Sequence, residues 1–370
     1  MADQVQVIDE YVIGPEYTPF FTKRWVPVAE PRAYIVFVHG MAEHIGRYDH
    51  FFRKLAAAPH NLHVFAYDQR GHGKTSYDPI TETAHEVAQW KADGQPYKLE
   101  KNAKRKTGGW AKALPEMEFF IKRESNRAKK TNGKLFLYGH SMGGGQVLAF
   151  GLRAQNLIQP KTLDLLSGII SSGPLIRQTT PASFIQVKAG SIAANLLPNM
   201  LMKIPLDVKV SGVYSDESGV ANKPQHFTHD VAQQDLAAND PYNEPIGSLR
   251  GLSDMLSGGV WLDSPAAWNG WQKHLPLLLY HGGDDPITDP KATARFGDKV
   301  VADDKTTKIW EGLLHEVHNE SEPFRTEAAE FVAAWIEAHL DGPVPAAEVA
   351  IASQAVSAAG AAEESARSKL

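Results

Sequence analysis

The 370-residue sequence predicts an α/β fold, a mostly parallel central sheet with helices on both faces and a cap inserted late in the chain. Short apolar runs recur, separated by amphipathic stretches of helical period, and that alternation stacks parallel strands between helices. Most runs are apolar at successive positions, as strands covered on both faces require. His, Asp, Ser and Gly clusters stand just after the runs, where the carboxyl ends of parallel strands open a crevice.

Taken in order, VQVIDEYVI (5–13) and FFTKRWVPV (20–28) read as an antiparallel hairpin at one edge. The strands of the sheet proper are AYIVFVHG (33–40), LHVFAYDQRG (62–71), KLFLYGHS (134–141), LSGIISSG (166–173), LPLLLYHGG (275–283) and TKIWEG (307–312). Helical period is clearest in LPEMEFFIKRESNRAKK (114–130) and GGGQVLAFGLRAQNL (143–157). From 174 to 270 the alternation stops and no clear strand is visible, so this stretch reads as a cap over a core made of 1–173 and 271–341. Within it, 183–206 is apolar at mostly helical spacing with few charges, which fits either a core helix or an apolar lip that meets a lipid surface. Residues 342–370 are rich in Ala, Ser and Glu and lack aromatics, and read as a flexible tail. That tail ends in Ser368-Lys369-Leu370, the address read by the peroxisomal import receptor. Peroxisomal localisation is therefore expected, with cytosolic or lipid-droplet pools as alternatives.

Composition narrows the function. The chain is 43% hydrophobic and 22% charged with a formal net charge of −5, ordinary for a globular protein. Mild negative charge argues against a nucleic-acid partner, and the dense basic segment at 98–112 reads as a solvated loop. Cysteine is absent, which excludes disulfides, a thiol nucleophile and thiolate metal ligands, and fits a reducing compartment. The first residues have neither a basic nor an apolar leader region, so no secretory signal is expected. No apolar run is long enough to span a membrane.

Gly139-His140-Ser141-Met142-Gly143 is a G-x-S-x-G that lies between an apolar run and a helical stretch. The composition yields about 0.1 such matches by chance, so the context matters more than the motif. Strand, tight turn, helix is what a nucleophile elbow needs, with small residues letting strand and helix approach. A serine hydroxyl needs a base, and in this kind of fold the chain order is Ser, acid, His. Of the acids in HGGDDPITDP, Asp289 precedes Pro290 and reads as a helix cap, Asp284 as a turn residue, and Asp285 as the triad acid. EGLLHEVHNE offers His315 and His318 as the base, and spacing alone does not choose between them. His140 is expected to pack.

FVHGMAEHIGRYDHF, FAYDQRGHGKT, LYGHSMGGG, NLLPNM, HGGDDPITDPK and KIWEGLLHEVHNE together resemble the monoacylglycerol lipases of the α/β-hydrolase superfamily, more the fungal branch. GHSMGG is common to many hydrolases; HG-x-x-EH-x-x-RY combined with a final EG-x-x-H-x-x-H-x-E is more specific. The resemblance runs from residue 33 to about 340 and implies the α/β-hydrolase fold. It places the nucleophile on Ser141, the acid on Asp285 and the base on His315. It gives the oxyanion hole to the backbone N–H groups of Met41 and Met142. It puts a polar pocket for the alcohol end on Glu43, Arg47 and His318. The alternative for Glu43 and Arg47 is a buried structural ion pair. Met41 stands where the family often has a smaller residue, and the cap wording diverges.

The implied reaction cleaves a monoacylglycerol to fatty acid and glycerol, with no metal or cofactor. The competing enzyme readings are a peroxisomal acyl-CoA thioesterase, a general carboxylesterase or a lysophospholipase. The H-x4-D spacing from His44 to Asp49, seen in some acyltransferases, is expected about once by chance. A triad-bearing fold used only to bind lipid is the reading from another class.

Overall fold

The expected edge hairpin is present: β1 (Val5–Ile13) pairs antiparallel with β2 (Pro19–Pro27), Tyr11 opposite Phe21. The computed structural model describes residues 5–99, 102–153, 156–181, 184–203 and 227–340. The sheet continues with β3 (Ala33–Val38), β4 (Leu62–Tyr67), β5 (Lys134–His140) and β6 (Gly168–Ser172). A short ribbon, β7 (Leu201–Lys203) with β8 (Ile246–Ser248), stands apart, and β9 (Leu277–Gly282) and β10 (Lys305–Trp310) complete the main sheet. Its eight strands run in the order β1-β2-β4-β3-β5-β6-β9-β10. Pairing is parallel from β4 to β10, and β2 joins antiparallel to β4.

The helices are α1 (Asp49–Ala56), the single turn α2 (Gly73–Ser76), α3 (His85–Ala92), α4 (Trp110–Ala128), α5 (Met142–Gly151), α6 (Phe184–Leu196), α7 (Val231–Ala238), α8 (Leu249–Leu262), α9 (Pro265–Gly270), α10 (Pro290–Lys299) and α11 (Phe324–Ala338). Successive strand side chains point to opposite faces, so the continuous apolar runs divide between two cores. Val36, Leu135, Leu137, Ile169, Leu277 and Leu279 join residues of α4, α5 and α10 on one face. Ile35, Phe37, Phe136, Tyr138, Leu278 and Tyr280 join residues of α1 and α11 on the other.

Some expectations change. The basic segment 98–112 is not solvated throughout, because Arg105 is fully buried. Its guanidinium lies 4.6 Å from the centroid of Tyr77 and donates at 2.8 Å to the carbonyl oxygen of Tyr242. Aromatic stacking and a backbone acceptor thus take a cation that local charge density assigned to water. Nearby, Ile80, Val87 and Trp90 form a small separate core. Among its described residues, the stretch 174–270 holds two strands, β7 and β8, of three residues each, too short for an alternation signal. It adds no strand to the main sheet among the described residues, but it is not purely an overlay. Ile176 and Leu262 belong to the core on the α4–α5 face, and α8 packs on α5 and α6. The tail and its terminal tripeptide lie outside the described residues, as do 204–226 of the expected cap.

Candidate active site

β5 ends at His140 and α5 begins at Met142, which leaves Ser141 alone to make the reversal. Ser141 takes φ 56°, ψ −118°, a conformation that costs a non-glycine residue about 1–3 kcal/mol. The neighbours explain how the turn survives. A Cβ on Gly139 would collide with the carbonyl oxygen of Gly143, and one on Gly143 with that of Val38 at the end of β3. Glycine at both positions lets α5 start against the sheet, with its N-terminal amides beside the serine.

The structure brings together three residues expected from the sequence. His315 Nε2 is 2.9 Å from Ser141 Oγ, and His315 Nδ1 is 2.5 Å from Asp285 Oδ2. Asp285 follows β9; His315 follows β10, its parallel neighbour. Asp285 Oδ1 accepts from the backbone N–H of Ile287 and Thr288 at 2.7 and 3.0 Å. Burial alone would raise the carboxyl pKa. His315 and His281 outweigh it and hold the group far below its ordinary value. Burial likewise pushes the His315 imidazole down, and the adjacent Asp285 charge more than reverses that, so its pKa is raised. Asp284 is exposed and Asp289 caps α10 by accepting from Lys291 N–H, leaving Asp285 as the buried acid of the three. His140 packs as expected, with Nδ1 3.0 Å from Ser172 Oγ.

Met41, after β3, and Met142, at the first turn of α5, line one pocket of about 380 Å³ including space open to solvent. Among the described residues neither backbone N–H has a protein acceptor. Glu43 braces the loop that carries Met41: its Oε1 accepts from Gly40 N–H and from Tyr48 O–H, the latter at 2.7 Å. Arg47 reaches Glu43 Oε2 at 3.1 Å and grips Glu316 with two hydrogen bonds of 2.7 and 2.8 Å. Glu43 and Arg47 are therefore an ion pair, closed by a third residue that the sequence did not single out. Burial would raise the pKa of Glu316, but Arg47 outweighs it and holds the group at about 2; on Glu43 burial prevails and the pKa is raised. Glu316 was hidden because its partner is 269 positions away; its place beside His315 was the only local signal.

His318 is not brought to this group as a hydrogen-bonding residue. Its ring is fully buried, stacked on Tyr48 at 4.7 Å and edge-on to Phe51 and His140, and among the described residues neither ring nitrogen has a hydrogen-bond partner. Burial drives its pKa well below the ordinary value, so it stays a neutral packing ring.

His281, Asp285 and His315 are the described residues whose spacing would suit a metal, their ligand atoms lying within 4.8 Å of one another. Each of these atoms already takes part in a short N–H···O or O–H···N contact, which accounts for the spacing.

The pattern of the Hydrolase_4 family, described as serine aminopeptidase S33, matches residues 29–322. The chain belongs to this family. A putative monoglyceride lipase of Schizosaccharomyces pombe is 32% identical over 86% of this chain and 71% of its own length. A monoglyceride lipase of Saccharomyces cerevisiae is 25% identical over 84% of this chain and 86% of its own. Among solved structures, a soluble variant of the Saccharomyces cerevisiae monoglyceride lipase, in complex with a substrate analog, superposes with a TM-score of 0.72 at 22% identity, covering 92% of this chain and 98% of that one. That likeness establishes the α/β-hydrolase fold. As a member of the Hydrolase_4 family with this fold, the protein is a hydrolase, and the crevice at the carboxyl ends of β5, β9 and β10 is where the fold puts its site.

Proposed function

We propose that the chain hydrolyses monoacylglycerols to free fatty acid and glycerol through an acyl-enzyme on Ser141. One observation carries the reading: a single imidazole, His315, is within reach of both the Ser141 alcohol and the Asp285 carboxylate. Ser141 Oγ attacks the ester carbonyl carbon as His315 Nε2 takes its proton, and Asp285 stabilises the imidazolium through Nδ1–H. The N–H groups of Met41 and Met142 receive the oxyanion. The carbon–oxygen bond to glycerol breaks, and His315 returns the proton to the leaving oxygen. Water then gives a proton to His315 and attacks the acyl carbonyl. That proton passes to Ser141 Oγ as the fatty acid leaves.

The substrate class is supported by the two yeast relatives, both monoglyceride lipases by name. Glu43 and Arg47, beside the oxyanion loop, are proposed to brace that loop through their ion pair and their contacts with Gly40, Tyr48 and Glu316, rather than to bond the glycerol hydroxyls themselves. An apolar lip is supported by Ile192, Leu196, Leu197, Met200, Leu201 and Met202, which are 44–75% exposed along α6, the following turn and β7. Such a patch suits contact with a lipid surface. Ser368-Lys369-Leu370 supports peroxisomal import.

The purified protein should turn over monoacylglycerol faster than lysophospholipid or acyl-CoA, and Ser141→Ala should lose both turnover and serine-directed phosphonate labelling while staying folded. Preferred turnover of acyl-CoA would replace the substrate class. Serine substitutions of the six lip residues should lower activity on emulsified lipid and spare a short soluble ester; equal loss on both would remove the lip. A fluorescent fusion that keeps its distribution after loss of the last three residues would remove the import reading.

A further inference from the structure

The carboxylate that serves His315 serves a second imidazole as well. His281, on β9 and fully buried, places Nε2 2.7 Å from Asp285 Oδ2, the oxygen that also meets His315 Nδ1. The other face of the His281 ring meets Thr293 of α10: Oγ1 to Nδ1 is 2.7 Å. Both Thr293 and His281 are without solvent exposure. A continuous chain of contacts therefore runs Thr293–His281–Asp285–His315–Ser141, from α10 to the start of α5. Its inner half repeats the outer half with the ring reversed, hydroxyl to imidazole to the same carboxylate oxygen.

We propose that His281, held by Thr293, is a positioning residue that fixes the Asp285 carboxylate for His315. This role rests on the triad reading above and follows from the hydrogen-bond sites of the carboxylate. Asp285 Oδ1 is filled by two backbone amides. Oδ2 lies 2.7 Å from Thr288 Oγ1, 2.7 Å from His281 Nε2 and 2.5 Å from His315 Nδ1. Thr288 Oγ1 also lies 3.1 Å from the carbonyl oxygen of Gly173, so its one proton has a competing acceptor. His281 supplies a donor held from behind, and its Nε2 lies nearer to Oδ2, at 2.7 Å, than to its other acceptor, the Thr288 carbonyl oxygen at 3.1 Å. When Thr293 O–H donates to Nδ1, the ring carries its proton on Nε2, aimed at the carboxylate. This arrangement has two consequences for the chemistry. The carboxylate cannot rotate away from His315 during the proton transfers. A second donor on Oδ2 also lowers that oxygen's own proton affinity, so the shared proton stays on His315 when the imidazolium forms.

The titratable groups that face His315 are Asp285 and His281 from the β9 end, His140 from β5, His318 from the turn after β10, and Glu316 and Glu43 from the oxyanion side. Removing only the His281 donor leaves the rest in place and concentrates the carboxylate's pull on His315. His281→Phe should therefore lower kcat by roughly 10- to 100-fold, with KM little changed, the size expected when a reacting group is slightly misplaced. It should also move the acidic limb of kcat/KM to higher pH. His281→Gln keeps a donor toward Asp285 and an acceptor toward Thr293, and should recover most of kcat and the normal limb. Thr293→Val, nearly isosteric, frees the ring to present its lone pair to the carboxylate and should cost several-fold in kcat.

The rate of phosphonate labelling of Ser141 against pH, followed beside turnover of a short soluble ester, tests this without assuming which lipid is the substrate. A wild-type protein that does not label overturns the triad reading itself. Normal labelling with monoacylglycerol inert removes only the substrate class. The positioning role falls if His281→Phe, folded by circular dichroism, labels at the wild-type rate and pH. It also falls if His281→Gln is as slow as the Phe variant at equal melting temperature. If His281→Phe does not fold, Thr293→Val with unchanged kcat overturns the proposal.

Discussion

Asp285 and His315 are two buried ionisable groups whose pKa values move in opposite directions, and the interaction between them drives both shifts. The signs lead to measurable consequences. His315 must be neutral to accept the Ser141 proton, and its pKa is raised above 6.5. The acidic limb of kcat/KM is therefore expected above 6.5, rising as the imidazole deprotonates. Asp285→Asn removes the charge that raises it, so the limb should move down, opposite to the shift expected for His281→Phe. The same variant should lower kcat by about 10⁴-fold, because the imidazole loses the partner that fixes its tautomer. Stability follows by linkage. The stabilisation of charged His315 is complete below its unfolded pKa and is lost as pH rises through the raised folded value. The stabilisation of Asp285 is present above its unfolded pKa and is lost only in strong acid, as pH falls through its depressed folded value. Acid melts of wild type and Asp285→Asn should differ by less as the pH drops below about 4. Ser141 and Asp285 were each legible from the residues around them. His281 closes an apolar strand run, and nothing in HGGDDP says that the histidine turns back onto the second aspartate. Thr293 lies on the next helix and gave no signal.

At the scale of elements, the elbow depends on how closely β5 and α5 approach. Gly143 packs against the end of β3, where a Cβ would run into the carbonyl oxygens of Val38 and His39. Gly143→Ala forces backbone rather than side chain to move, and should destabilise the fold by about 3 kcal/mol while also slowing phosphonate labelling of Ser141. Calorimetry beside labelling rates checks both, and wild-type values on each would mean that the turn has room to spare. The elements of the sheet were readable because each is apolar at successive positions and bounded by polar or glycine residues; β3 and β5, expected over 33–40 and 134–141, form over Ala33–Val38 and Lys134–His140. The ribbon of β7 and β8 was not readable. Three-residue strands are too short to show a period, and their pairing joins positions more than forty residues apart. Arg105 shows the same limit for charge. The segment around it is basic in composition, yet burial depends on Tyr77 and Tyr242, which the local sequence does not contain.

At the scale of the whole molecule, two cores clamp the sheet and are separable from the chemistry. Trp335 of α11 is fully buried, meets Phe136 edge-on at 5.8 Å and fills the space beside Gly168. It lies on the sheet face that α1 and α11 cover and is absent from the contacts of Ser141, Asp285 and His315. Trp335→Ala should cost about 3–5 kcal/mol of stability yet leave kcat of the folded protein unchanged, measured below its melting transition. A fall in kcat at full folding would show that this core transmits strain to the site. The sequence by itself determined the α/β alternation, the edge hairpin, the elbow and the three loops that carry serine, acid and histidine, because each rests on neighbours within a few positions. Only the tertiary structure decided that Arg47 is claimed by Glu316, that the His318 ring is enclosed against Tyr48 with no hydrogen-bond partner among the described residues, and that Asp285 answers to two histidines. Those outcomes depend on which side chains meet after distant strands align, and in a low-dielectric interior each unpaired charge takes the nearest complementary group the fold provides.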